Sequence, residues 1–188
     1  MPFFSSAVIR YGTIILAGLA VGYGLMEHLQ KRSLEQQAKQ AFDRFKDICL
    51  APLEQSRPTA FASQPLFGLP DLITTQDPDM WLDLSNNGIL SISPYRCAYR
   101  FYENTAAQLI SVSELLEQRT DRFVARYATE LEIDPKAQLN PKDLFVAWTN
   151  WRNSPAGASR WGVTLLAGHY TAEGPFVSMT VTLPKRQP

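Results

Sequence analysis

Hydrophobic positions follow different rules in successive parts of the chain. From Ala7 to Met26 the run AVIRYGTIILAGLAVGYGLM is apolar apart from Arg10. A run of about 20 apolar residues matches the helix that crosses a bilayer core of roughly 30 Å. Arg10 lies near the outer end, where a long side chain can reach the interface. The pattern predicts a short tail over 1–6 and a transmembrane helix over 7–26. Gly18-Leu19-Ala20 also offers small residues for signal-peptide cleavage. The thin basic region and the continuation to Met26 favour an uncleaved anchor.

Beyond Met26 the apolar positions thin to one stripe. Residues 27–50 contain no Pro or Gly, and Leu34, Ala38, Ala41, Phe45 and Ile48 recur at steps of four and three, with Phe42 and Cys49 widening the stripe. This predicts an amphipathic stalk helix that continues out of the membrane and docks on its own domain. The stripe is too short for a convincing coiled coil. Pro52, Pro58, Pro65, Pro70 and Pro78 then interrupt any period. The segment 51–79 is expected to be an irregular loop packing Phe61, Phe67 and Leu69.

From Met80 the period becomes two. MWLDL and ILSIS flank Ser85-Asn86-Asn87-Gly88, a hairpin signal because Asn-Gly supplies the positive φ of a tight turn. YRCAYRFY (95–102) alternates an aromatic face with arginines, which predicts a third strand. Ser111-Val112-Ser113-Glu114 fits a capping box opening a helix over 112–131, with Leu115, Leu116, Arg119, Phe123, Tyr127 and Leu131 near one face. Residues 144–151, 160–170 and 176–183 have strand composition, although 144–151 also suits a helix capped by Asn140 with Pro141 at its first position. The expected fold is therefore α+β. An N-terminal transmembrane helix runs into an amphipathic helix, and a mostly antiparallel sheet over 80–183 packs against one or two helices, before a tail at 184–188.

Composition narrows the function classes. About 160 of the 188 residues lie beyond the anchor, enough for one domain, and 45% of the chain is hydrophobic. Eighteen basic and eighteen acidic residues cancel, so no global electrostatic footprint for nucleic acid exists. Cys49 and Cys97 cannot form a four-ligand zinc site. They are either a disulfide closing a loop of about 48 residues, worth roughly 3–4 kcal/mol, or two separate buried thiols.

Motifs for chemistry are sparse. GxGxxG, GxxxxGK[ST] and HExxH are all absent, so no catalytic, cofactor or metal site is expected. The histidines are His28 and His169. A Cys97–His169 nucleophile pair oriented by Asp83 or Glu103 is the enzyme reading, and nothing local supports it. Asp77 and Asp79 flank Pro78 as turn formers.

Signals for association are stronger. Gly18 and Gly22, with Ala20 and Gly24 beside them, place small residues one turn apart in the apolar run, a packing face for a homodimer or a membrane partner. Arg96 with Arg100, and Trp148, Trp151 and Trp161 with Arg152 and Arg160, mix basic and aromatic residues that can hold a ligand or partner. Lys31, Arg32, Lys39, Arg44 and Lys46 follow the span and point to a cytoplasmic domain. A near-terminal anchor and a cysteine pair point to export, the side taken here. The expected protein is a single-pass, inner-membrane, non-catalytic accessory or scaffold component with a periplasmic domain, in contact with lipid and a membrane partner. The alternative is an envelope ligand-binding module, and after it a thiol enzyme or hydrolase.

Overall fold

Two four-stranded meanders meet edge to edge and share one layer of helix. The structure, a computed structural model, describes residues 29, 31–55, 60–61, 72–77, 79–103, 105–135, 144–150, 161–171 and 174–184. The chain divides into two units, Met1–Gln36 and Gln37–Pro188. In the first, residues 29 and 31–36 are helical.

The membrane-anchored reading requires correction. Residues 7–26, with Gly18, Ala20, Gly22 and Gly24, lie outside the described residues. Among the described residues no helix is long and apolar enough to cross a membrane. The helix Ala106–Tyr127 has 22 residues, long enough in principle. It carries Glu114, Glu117, Arg119, Asp121, Arg122 and Arg126, and such charges in a span are costly. The transmembrane fold, the single-pass inner-membrane placement, the signal-anchor and the partnering through lipid or a membrane helix are therefore withdrawn. The membrane scaffold function that depended on them goes too.

The second unit begins with helix α1, residues 37–45, which buries Ala38, Ala41, Phe42 and Phe45. A π-helical turn, Lys46–Leu50, follows, and then the short helix α2, Ala51–Gln55. Pro52 was expected to end the helix. Instead the Ala51 N–H donates to the Lys46 carbonyl, five residues back, and Pro52 falls in the first turn of α2.

The strands are β1 (Leu72–Thr74), β2 (Met80–Asp83), β3 (Gly88–Ser93), β4 (Arg96–Tyr102), β5 (Glu132–Ile133), β6 (Leu144–Thr149), β7 (Gly162–Thr171) and β8 (Gly174–Thr182), with α3 (Ala106–Tyr127) between β4 and β5. They form one antiparallel sheet in the order β1-β2-β3-β4-β8-β7-β6-β5. The seam is β4 against β8, in which Tyr99 faces Met179. The hairpin turn forms with Asn87 at φ 47°. Part of the expected irregular segment 51–79 is ordered structure, namely α2 and the edge strand β1.

Helix α3 also starts earlier than the sequence suggested. Thr105 is its N-cap, and its Oγ1 accepts from the Gln108 N–H at 3.2 Å. Ser111 lies inside the helix and donates to the Ala107 carbonyl. Thr105-Ala106-Ala107-Gln108 is itself a T-x-x-Q pattern, which competes with the Ser111 box and lies closer to the strand end.

Register decides which face the helices cover. Cys97, Val181, Val163 and Trp148 are successive cross-strand partners and so share a face. Cys49 is joined to Cys97 by a disulfide with Cα atoms 5.5 Å apart, which brings the π turn after α1 onto that face. The Trp148 Nε1–H donates to Asp121 Oδ1 at 2.7 Å, which brings α3 onto it as well. The core is the layer between: Leu90, Tyr99, Phe101, Leu165 and Met179 from the sheet and Leu183 just past β8, with Phe45, Leu50, Val112 and Leu116 from the helices, all buried. Each such side chain contributes about 1.5–3 kcal/mol by leaving water.

Candidate ligand-binding site

The residues singled out in the sequence are placed on both faces of the sheet. Cys49 and Cys97 are fully buried and bridged, so no thiolate nucleophile exists at Cys97. That removes the Cys97–His169 enzyme reading. Trp148 and Trp161 are buried, and Trp148 is anchored to Asp121, so their rings belong to the packed interior. Trp151, Arg152 and Arg160 lie outside the described residues, as does His28. Among the described residues no group of three or more His, Cys, Asp or Glu side chains could hold a metal ion.

The covered face contains one dense polar knot at the end of the β2–β3 hairpin. Asp83 is buried and accepts from five donors: the Ser85 N–H at 3.1 Å, Ser85 Oγ at 2.6 Å, Asn86 Nδ2 at 3.0 Å, Tyr99 Oη at 2.7 Å and Arg44 Nε at 3.2 Å. Burial alone would raise its carboxyl, but the bonds from Ser85, Asn86 and Tyr99 and the Arg44 charge hold the pKa below the ordinary value. Burial, then the bond to Asp83 and its charge, push the Tyr99 phenol far upward, so it stays a donor. Gly88 makes room for that phenol: a Cβ there would stand 2.7 Å from Tyr99 Oη. The knot fastens α1 to the hairpin and offers no free group for chemistry.

The opposite face is built differently. No described helix packs on it. By register its residues on β2, β3, β4 and β8 are Met80 and Leu82, then Ile89, Ser91 and Ser93, then Arg96, Ala98, Arg100 and Tyr102, and last Phe176, Ser178, Thr180 and Thr182. None is a carboxylate. Arg100 is half-buried and its guanidinium carbon lies 4.8 Å from the centre of the Phe176 ring. That stacking holds the planar cation in place. Arg96 is exposed four residues earlier on the same side. Among the described residues, neither arginine forms a salt bridge.

Two hollows lie along this face. One of about 190 Å³ is lined by Arg96, Arg100, Ala98, Ser91, Ser178, Met80 and Ile89. The other, about 440 Å³, lies at the hairpin end against Leu82, Leu84, Ile89 and Tyr102, with Asp83, Asn87 and Gly88 completing its wall. Ile89 lines both, so the hollows adjoin. The sequence named Arg96 and Arg100 as a pair, but it could not show Phe176 beneath Arg100 or Ser178 opposite it. Those neighbours come from a strand more than seventy residues away in the chain.

Comparison with known proteins adds no relative: no family model, no curated protein and no solved structure matches this chain.

Proposed function

We propose that this protein is a non-catalytic ligand-binding module whose site is the face of β2, β3, β4 and β8 on which no described helix packs, and that its ligand carries a carboxylate or phosphate group. The observation that carries this reading is the pair Arg96 and Arg100. Two guanidinium groups line one hollow over β2, β3, β4 and β8, whose residues on that face include no carboxylate, and one of the two is held by an aromatic ring. In a chain of zero formal charge, that is a local concentration of cation with no salt-bridge partner among the described residues. Guanidinium groups suit planar, bidentate recognition of carboxylate and phosphate. Ser91 and Ser178 supply hydroxyls beside them that can donate to the remaining oxygen atoms. The Cys49–Cys97 disulfide supports work in an oxidising compartment, where such a bond persists.

The test is equilibrium binding of inorganic phosphate, hexanoate and hexylammonium to the intact chain. Phosphate or hexanoate is expected to bind and hexylammonium not to bind. Arg96→Gln with Arg100→Gln should weaken the anions about tenfold or more, the scale of a lost charge-assisted hydrogen bond. Equal affinity of the wild type and the double variant for the anions would overturn the proposal.

A further inference from the structure

We infer that the ligand of this face is a single-chain anionic amphiphile, with its acid group at Arg96 and Arg100 and its apolar tail along Ile89, Leu82 and Ile73. The inference rests on the anion-site reading above and adds the other half of the ligand.

Register supplies the geometry. Ile73 faces Leu82, Leu82 faces Ile89, and Ile89 faces Arg100. These four residues form one row across four strands, apolar up to its last member. Three strand spacings, about 14 Å, separate Ile73 from Arg100, a length that an extended chain of roughly ten carbons covers from acid head to tail end. Ile73 is 48% exposed, Leu82 40% and Leu84 64%, so a row of large aliphatic side chains stands in water beside a cation. The 440 Å³ hollow over Leu82, Leu84 and Ile89 lies within the range of small-molecule sites.

The chemistry of the two ends differs. At the tail end the one acid in the wall, Asp83, already accepts from five donors and keeps its negative charge. The residues lining that hollow include no lysine or arginine to meet a second acid group, so the site selects one acid head and an apolar tail. A peptide strand fits less well. β2, β3 and β4 are interior strands with neighbours on both sides, so over them the backbone groups are taken by the ladder and the face offers side chains alone.

The experiment is titration of the intact chain with butyrate, hexanoate, octanoate and decanoate below their aggregation concentrations, with phosphate and decylammonium as controls. Affinity should rise about two- to fourfold per methylene, the span from half to full burial of each group, and level off near ten carbons. Decylammonium should bind at least tenfold more weakly than decanoate. Leu82→Ser with Leu84→Ser replaces two exposed side chains, so the fold should hold in a thermal melt. The double variant should flatten the chain-length dependence and leave butyrate unchanged. If phosphate and all the carboxylates bind with one affinity regardless of length, the amphiphile inference falls and the anion site stands. If no anion binds, both fall. If decylammonium binds as well as decanoate, the acid head is wrong and both readings are again overturned.

Discussion

Arg44 and Arg100 approach the same hairpin from opposite faces of one sheet, and their surroundings differ sharply. On the covered face Arg44 donates to a buried carboxylate that is also held by Ser85, Asn86 and Tyr99. On the other face Arg100 rests on the Phe176 ring with no described carboxylate beside it. A charge enclosed between helix and sheet must be matched within the chain, because leaving it unpaired costs several kcal/mol. A half-exposed arginine faces no such requirement, since water solvates it. Arg44 therefore serves the fold, and Arg100 is left with capacity to bind something else.

The contrast can be broken most directly at Asp83. Asp83→Ala leaves Arg44 and Tyr99 without their acceptor in a buried setting, and should cost about 3–5 kcal/mol in urea unfolding. Arg100→Gln should cost under about 1 kcal/mol in the same assay. Similar costs for the two would erase the distinction between the faces. Next in size is the tie between α1 and the central strand. Cys49→Ser removes a bridge between residues 48 positions apart. It should lower stability by about 2–5 kcal/mol, with the same loss on adding reductant to the unfolded wild type before refolding. A smaller loss, about 2 kcal/mol, is expected for Trp148→Phe, which deletes the bond to Asp121 and leaves that acid partly desolvated.

The smallest effect concerns pH, and its sign separates two acids on the covered face. Burial raises the Glu103 carboxyl, and the hydrogen bond from Gln37 at 2.9 Å only partly opposes it. The folded protein thus holds this proton to higher pH than the unfolded chain does. Glu103 therefore costs stability above its folded pKa, and the cost disappears as pH falls below the ordinary value of 4.5. Glu103→Gln should raise the thermal midpoint at neutral pH, with the gain vanishing in acid. A gain independent of pH would contradict the assignment. Asp83 has the opposite sign: its stabilisation is present above the ordinary 3.8 and is lost as pH falls through its lower folded value.

Local patterns carried part of this architecture. The Asn87-Gly88 turn announced the β2–β3 hairpin, and alternation in Arg96–Tyr102 announced β4, because both signals lie within a few residues. The two edge strands escaped notice. Leu72–Thr74 has three residues and Glu132–Ile133 two, too few to show a period. The helix boundaries slipped where two caps competed, at Thr105 and Ser111. The apolar run 7–26 dominated the sequence reading and pulled function and location toward a membrane, although no described helix is of spanning character. For the site, the sequence showed Arg96 and Arg100 two pleats apart on one strand. Which face they share, and with whom, depends on β4 pairing with β8 across the whole of α3, β5, β6 and β7. Such a pairing leaves no local trace. The tryptophans misled for a related reason, since an aromatic cluster in sequence looks the same whether it ends in the core or on the surface.

The most direct test observes the three arginines together. In a hexanoate titration of the intact, isotope-labelled chain, the Nε–Hε resonances of Arg96 and Arg100 should shift in proportion to occupancy. The resonance of Arg44, bonded to Asp83 on the covered face, should stay in place. Shifts at Arg44 with none at Arg96 or Arg100, or equal small shifts at every arginine, would contradict a built anion site on the face of Arg96 and Arg100.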